Sequence, residues 1–554
     1  MRSHTIMWHW RHLDDVTNPP RAKIPVMAHA QSITSRPAWT IPAITALVLV
    51  LLAMLVQGQD ANWDLRNYHF YTPSALLDGR LEGDIAAAQL QTWHNPTLDL
   101  PFAWMVRAGV PGWLISVWLA LPAFVALVLG LRLLDLLWPT ARSAFRTGVA
   151  GLAAVSGAAV MPSIGTTFND AFVGAGVLAA VWWGVDSHGR RPAWAVWLPM
   201  GLLAGLVTGL KLTGSFYCLG FAAAALVAGS LRTAPARMLA LATGGVLGGL
   251  ITAGPWAFYL WQEHGNPTFP YFNQWFQSPD ALFHSHKDEK FIPHGWDAWL
   301  APLHLLSGSR RFSESRLADP RLLLGLVALT VWWMQGWRER IGAFPAARVR
   351  LCLWVFMAAS FLVWVKLYGI YRYLFALELI CSVCLIGVIT QWRPSRFPRT
   401  LLVVAVLVLV LIALTNPPGW GRNSFSTPMV DVRLPRVPPN ALVIQANDQP
   451  LGYAAAFLPR TVPTVSIRNN FMEPTRCTRL QSRAEARIRM HEGPLYLLRE
   501  LPEHPRGEEA YRAYGLSAGG ACLPVYSNLS RLELCPLTRT EATPVLCSSQ
   551  SPDR

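Results

Sequence analysis

The chain has 554 residues, of which 52% are hydrophobic and only 14% charged, with 25 Trp and positive mean hydropathy. Soluble domains carry about 25% charged residues, so this composition excludes a disordered chain, a coiled coil and an ordinary cytosolic enzyme. A net charge of +15 would suit a nucleic-acid binder. In a polytopic helical membrane protein, however, a basic excess belongs to cytoplasmic loops, and no nucleic-acid partner is expected.

A spanning helix needs about 20 mostly apolar residues. Such runs lie near 41–57, 112–137, 147–164, 170–185, 194–210, 213–231, 238–261, 321–336, 351–367, 373–391 and 400–415, about eleven spans in all. The N-terminal tail, 1–40, carries Arg2, Arg11, Arg21, Lys23 and Arg36. Alternate short loops carry Arg142 and Arg146, Arg190 and Arg191, Arg232 and Arg237, then Arg338, Arg340, Arg348 and Arg350, and finally Arg393, Arg396 and Arg399, with Asp186 and Glu339 as their acids. The first loop on the opposite side, 58–111, has three basic residues and six acids. Under the positive-inside rule the N-terminus is cytoplasmic and the C-terminus outside. The late start of the first apolar run, with no small-residue cleavage site after it, predicts an anchor and not a cleaved signal peptide.

That first outer loop carries the densest polar pattern. It reads Asn62-Trp63-Asp64-Leu65-Arg66-Asn67-Tyr68-His69-Phe70-Tyr71 and continues through Asp78-Gly79-Arg80, Trp93-His94-Asn95-Pro96 and Asp99-Leu100-Pro101. Its aromatic and apolar residues predict helices lying on the membrane surface, with Tyr68 and Tyr71 on one face. An interfacial aromatic belt would account for the rings, but not for the clustered Asp, Arg, His and Asn. Further along, Thr166-Thr167-Phe168-Asn169-Asp170 forms the tip of a hairpin on the same side. Asp170 there either caps a helix N-terminus or serves a site shared with Asp64.

Lys211, one of five Lys in the chain, stands between two apolar helices in a Gly-rich run at the same face. An ionisable group at this depth marks a functional site unless it snorkels to the interface. Arg372, in Tyr368-Gly369-Ile370-Tyr371-Arg372-Tyr373, offers a bidentate fork to a phosphate or pairs with Glu378 in the next span. In the outer loop 262–320, His284, His286, Asp288 and Glu289 offer metal ligands, although a solvated loop is the commoner reading.

Composition changes at Asn416-Pro417-Pro418-Gly419. The segment 416–554 reads as a small α/β extracytoplasmic domain with 16 Arg, no Lys and 12 acids. Strands are predicted at Ala441–Gln445, Pro494–Arg499 and within Cys522–Leu534, and a helix at Cys477–His491. Its four Cys suit disulfides in an oxidising compartment. Cys218, Cys352, Cys381 and Cys384 fall in spans and read as apolar filler.

Together these features resemble the GT-C superfamily of membrane glycosyltransferases, in a bacterial, uncharacterised branch that shares the Trp63–His69 run. The resemblance covers topology over 41–415. It implies an all-α polytopic protein whose long first outer loop holds an acidic residue just after the first span, followed by a soluble domain. Asp64 matches that first acid, and Asp170 matches a second more loosely. The implied reaction moves a sugar from a polyprenyl-phosphate donor to a glycan, lipid or protein acceptor at the outer face of the inner membrane. Asp64 would be the general base, Asp170 would position the acceptor or share a divalent metal with Asp64, and Lys211 and Arg372 would neutralise the departing phosphate. Arg66, Tyr68, His69, His94, Asp99 and Tyr368 form a second tier. Other readings are a flippase, which needs ionisable groups at mid-membrane, and a polymerase or ligase of lipid-linked glycans.

Overall fold

The computed structural model describes residues 39–139, 142–338, 344–391, 397–503, 505–540 and 546–547. The charges assigned to the tail 1–38, and Glu339, Arg340, Arg393 and Arg396, lie outside them.

Each of the eleven apolar segments holds a helix: Thr40–Gln57, Gly112–Leu137, Ala144–Val155, Asp170–Ser187, Ala193–Leu210, Ser215–Val227, Ala234–His264, Arg321–Arg338, Phe344–Leu367, Phe375–Gln391 and Phe397–Leu414. Among the described residues, six helical stretches are long and apolar enough to cross a membrane, and Ala144–Val155, Leu212–Val227, Arg321–Gln335 and Arg399–Leu414 are shorter apolar helices.

The run 147–164 is broken where Glu378 intrudes. Its carboxylate accepts hydrogen bonds of 2.9–3.1 Å from the backbone N–H groups of Ala159 and Val160, and a side chain at Gly157 would collide with it. Glu378 therefore serves a helix N-terminus and does not pair with Arg372. The glycines ahead of Lys211 act in packing and not at a substrate. A Cβ on Gly201 or Gly205 would strike the backbone of Leu241 or Gly245, and one on Gly244 or Gly248 would strike Leu198 or Leu202. Small residues on both helices let Ala193–Leu210 and Ala234–His264 approach backbone to backbone.

After the last apolar helix the chain builds a sheet. β1 (Gln59–Asp60) and β2 (Arg422–Asn423) form a separate antiparallel pair just outside the first helix. β3 (Val432–Arg433), β4 (Leu442–Ala446), β5 (Thr464–Arg468), β6 (Leu495–Glu500), β7 (Leu516–Ala518), β8 (Leu523–Ser527) and β9 (Leu532–Arg539) follow in the order β3-β8-β9-β6-β4-β5, with β7 on β9. β4 runs parallel to β5 and β6, and the other pairings are antiparallel. The three strand segments and the helix read from sequence appear within a few residues of their expected places, the last segment as β8 and the start of β9. Disulfides join Cys477 to Cys547 and Cys522 to Cys535, while Cys218, Cys352, Cys381 and Cys384 are free.

β4 is buried along its whole length, as befits a parallel central strand covered on both faces. Val443 points into a core shared with the first outer loop through Leu65, Phe70, Tyr71 and Phe102. Leu442 and Ile444 point into the opposite core, with Ala484 and Ile488 of the helix Arg479–Met490. The loop thus supplies one cover of the sheet. Ile85 bridges to Val465, Asp84 accepts from the Thr464 N–H at 2.8 Å, and Arg80 pairs with Asp84 at 3.1 Å while donating to the carbonyls of Leu458 and Val462. Leu76, Leu77 and Trp104 remain exposed on the loop helices.

Arg80 and Asp84 are both buried, so removing one leaves an uncompensated charge. Asp84→Ala should cost about 3–5 kcal/mol, read as a lower unfolding midpoint in detergent. An unchanged midpoint would show that the loop is not fastened to the sheet here.

Candidate active site

Asp64 is placed by its immediate predecessors. The Asn62 side chain accepts from the Leu65 N–H at 2.7 Å, and Asp60 in turn holds Asn62 at 2.9–3.0 Å. Asp60 also accepts from the N–H and hydroxyl of Thr167, both at 2.8 Å. That pair of bonds fastens the 166–170 turn beside the start of the outer loop. Burial pushes the Asp60 carboxyl up, opposed by Arg422 and by its bonds from Thr167 and Asn62.

Four charged side chains from distant parts of the chain meet here. Arg372 donates to Asp64 at 3.0 Å and lies 3.5 Å from Asp170. Lys211 reaches Asp170 at 2.5 Å and also donates to the Phe168 carbonyl. The side chains of Asp64, Arg372, Asp170 and Lys211 are only 14%, 9%, 2% and 15% exposed, so each charge depends on its neighbours. The result is an alternating chain of Asp64, Arg372, Asp170 and Lys211. Lys211 is therefore ion-paired and does not snorkel. Asn169 is the N-cap of the helix that Asp170 begins, and among the described residues the Asp170 carboxylate bonds Lys211 and no backbone N–H. Burial disfavours ionisation of Asp64, but Arg372, His69 and Lys211 together outweigh it and hold the carboxyl below its usual range. Burial pulls the Lys211 ammonium down, countered chiefly by Asp170.

The position between Asp64 and Asp170, where a divalent ion would have to sit, is held by the Arg372 guanidinium. Among the described residues, the group of three potential ligands within reach of one ion is Cys522, Glu533 and Cys535, and both of those cysteines are disulfide-bonded. His284 and His286 stack on each other with centroids 3.9 Å apart, and His286 faces the Leu282 carbonyl. Asp288 and Glu289 do not join them in a ligand cluster.

Of the second tier, His69 and Asp99 form a pair, Nδ1 to carboxylate, at 2.7 Å. Asn169 donates to the other Asp99 oxygen at 2.9 Å. His94 lies 2.9 Å from the Tyr271 hydroxyl, and the Tyr68 ring packs on both His69 and His94. Tyr368 bonds Ser215 at 2.8 Å and packs its ring on Tyr373. Arg66 points away from this group and pairs with Glu500 of β6 at 3.2 Å. Tyr71 also leaves, to hydrogen-bond Asp84 at 2.7 Å. Tyr68 and Tyr71 do not share a face because Leu65–His69 is a π-helical turn, whose wider winding breaks the α-helical spacing.

Burial holds the His94 imidazole down, to about 4, with Asp64 opposing and His69 and Lys211 assisting. A histidine depressed in the folded state contributes stability that is complete above its unfolded value of about 6.5 and is lost as pH falls through the folded value. His94→Gln should therefore flatten the decline in unfolding midpoint between about pH 6.5 and 4. An identical decline in the variant would assign that acid sensitivity to other groups.

Several neighbours of the cluster carry no charge and gave little signal in the sequence. The Phe168 ring lies under the Arg372 guanidinium at 4.1 Å, Tyr373 lies 5.3 Å from Arg372 and 5.4 Å from Lys211, and Trp420 lies 6.0 Å from Arg372. Phe168 and Trp420 also border a cavity of about 290 Å³ that Asn62, Thr166 and Arg422 help to line. Two cations, a carboxylate within reach of both, aromatic walls and an adjoining cavity suit an anion and a hydroxylated partner.

No family model and no curated protein matches the chain. Among solved structures, ArnT from Cupriavidus metallidurans bound to undecaprenyl phosphate aligns at TM-score 0.42 and 14% identity, over 67% of this chain and 63% of that one. ArnT from the same organism in the apo state aligns at TM-score 0.52 and 13% identity, over 90% of this chain and 97% of that one. The apo alignment runs through nearly the whole of both chains, and this protein shares the fold of that ArnT structure.

Proposed function

We propose that this protein is an integral membrane glycosyltransferase that moves a sugar from a polyprenyl-phosphate donor to an acceptor hydroxyl at the outer face of the inner membrane. The observation that carries this reading is the buried chain Asp64–Arg372–Asp170–Lys211. In a membrane protein such a group is costly unless it is used, and its two cations match a lipid phosphate. Lys211 and Arg372 bind that phosphate and stabilise the charge it gains on leaving. Asp64 takes the proton of the acceptor hydroxyl. A single displacement at the anomeric carbon inverts its configuration. Asp170 touches both cations and sets their positions. Two disulfides in the segment 416–554 suit an oxidising compartment, and the basic inner loops keep the N-terminus cytoplasmic across eleven spans.

The test is turnover in proteoliposomes supplied with a panel of radiolabelled polyprenyl-phosphate hexoses and aminopentoses, with cell-envelope extract as acceptor. Acceptor-dependent release of polyprenyl phosphate is expected for one donor. Intact donor throughout the panel overturns the reading.

A further inference from the structure

The His69–Asp99–Asn169 group has no part in the scheme above, yet it borders the cluster. Its geometry is that of an oriented imidazole. Asp99 takes the Nδ1 side of the ring at 2.7 Å, and Asn169 fixes Asp99 by donating to its other oxygen at 2.9 Å. This arrangement favours the tautomer with its proton on Nδ1, which leaves Nε2 as an acceptor. His69 is only 2% exposed, and its Nε2 is buried with no hydrogen-bond partner among the described residues. Leaving a buried polar atom unmatched is destabilising, a poor arrangement for a residue whose task is structural.

Two backbone features aim this group at Asp64. Asp64 opens the π-helical turn Leu65–His69. A turn closed by i→i+5 bonds stacks residues five apart on one face, so Asp64 and His69 look the same way. An α-helix would have turned them well apart. Asn169 sits in the left-handed region at φ +63°, one residue before Asp170. Backbone conformations of this kind persist where the surroundings enforce them, often at functional sites.

Building on the glycosyltransferase reading, we infer that His69, oriented by Asp99, carries away the proton that Asp64 takes from the acceptor. The acceptor O–H bond breaks and its proton goes to the Asp64 carboxylate. The acceptor oxygen bonds to the anomeric carbon while the bond from that carbon to the phosphate oxygen breaks, its electron pair leaving with polyprenyl phosphate. The proton then passes from Asp64, through one bridging water, to Nε2 of His69. The imidazolium is stabilised by Asp99 and releases the proton to water. Arg372, the His69 imidazolium formed by the transfer, and Lys211 outweigh burial and hold Asp64 low, so the proton does not return there. The relay restores the carboxylate for the next acceptor. His69 acts through Asp64 and is in that sense a positioning residue of the proton path.

The experiment uses the full-length protein in proteoliposomes with the polyprenyl-phosphate hexose or aminopentose that the wild type turns over. His69→Gln should lower kcat about 100-fold, the lower end for a positioned proton acceptor, with KM for the donor unchanged. Asp99→Asn should produce a similar loss by favouring the wrong tautomer. Added imidazole should restore part of the kcat of His69→Gly, a rescue that a purely structural histidine would not show. If His69→Gln fails to accumulate, Asp99→Asn and the imidazole rescue decide the matter. A folded His69→Gln with kcat within about twofold of wild type, or His69→Gly and Asp99→Asn both without a proton-transfer defect, overturns the relay. Wild type inactive on every donor overturns the glycosyltransferase reading and the relay with it. An active wild type with an unaffected His69→Gln overturns the relay alone.

Discussion

Asp64→Asn should lower the rate of sugar transfer by about 10²–10⁴-fold, the range contributed by a positioned general base. Asparagine keeps the shape of the side chain and an oxygen that accepts from Arg372, now at 3.0 Å, so the cluster has no steric reason to come apart. It loses the charge and the capacity to take a proton. The expected signature is a collapse of kcat with near-normal accumulation in the membrane and little change in KM for the donor. Full activity in a normally expressed variant removes Asp64 as the base and sends the search for it to Asp170.

Arg372→Gln should fail in two ways at once. Asp64 and Asp170 both lie against this guanidinium, and its loss leaves them facing each other with Lys211 as the remaining cation of the cluster. Breaking a buried pair from one side costs about 3–5 kcal/mol. The departing phosphate also loses a fixed donor, worth about 10²–10³ in rate. Arg372→Lys separates the two effects. An ammonium restores charge, but neither the planar fork nor the stacking on Phe168. Its unfolding midpoint should recover most of the loss while transfer stays at least tenfold below wild type. A lysine variant as active as wild type would show that a point charge suffices and that the fork contributes nothing.

Much of the site was legible before any coordinates because ionisable residues stand out in an apolar chain. Asp64, Asp170, Lys211 and Arg372 each stand out for that reason, and counting eleven spans predicts a common membrane face for them. The pairing between them was not legible. Glu378 is six residues from Arg372 and looks its natural partner, but a break in the apolar run near Gly157 claims it instead. Asp60, an acid just past a helix end, carries no signal of its own in the sequence. Only the fold shows that it holds Thr167. Phe168, Tyr373 and Trp420 carry no charge, and their role depends on contacts across hundreds of residues. Tyr68 and Tyr71 have the spacing of a shared α-helical face, but the π turn Leu65–His69 parts them, and nothing in the sequence marks that turn. The α/β character of the last segment was readable from its strands. Its dependence on the first outer loop was not, since Ile85 reads as one apolar residue in a loop until β5 lies beside it.

That dependence governs how the protein is made. Asp84 waits for Thr464, 380 residues downstream. At about 5–20 residues per second, a ribosome needs roughly 20–80 s to deliver it. Through that interval the loop carrying Asp64 lacks its cover, with the acid Asp84 and the apolar faces of Tyr71 and Ile85 exposed. A nascent chain in this state is a ready substrate for proteases and a client for chaperones. Translation that stops short of β5 produces a membrane-inserted chain that has every residue of the cluster and nothing to hold its outer loop in place.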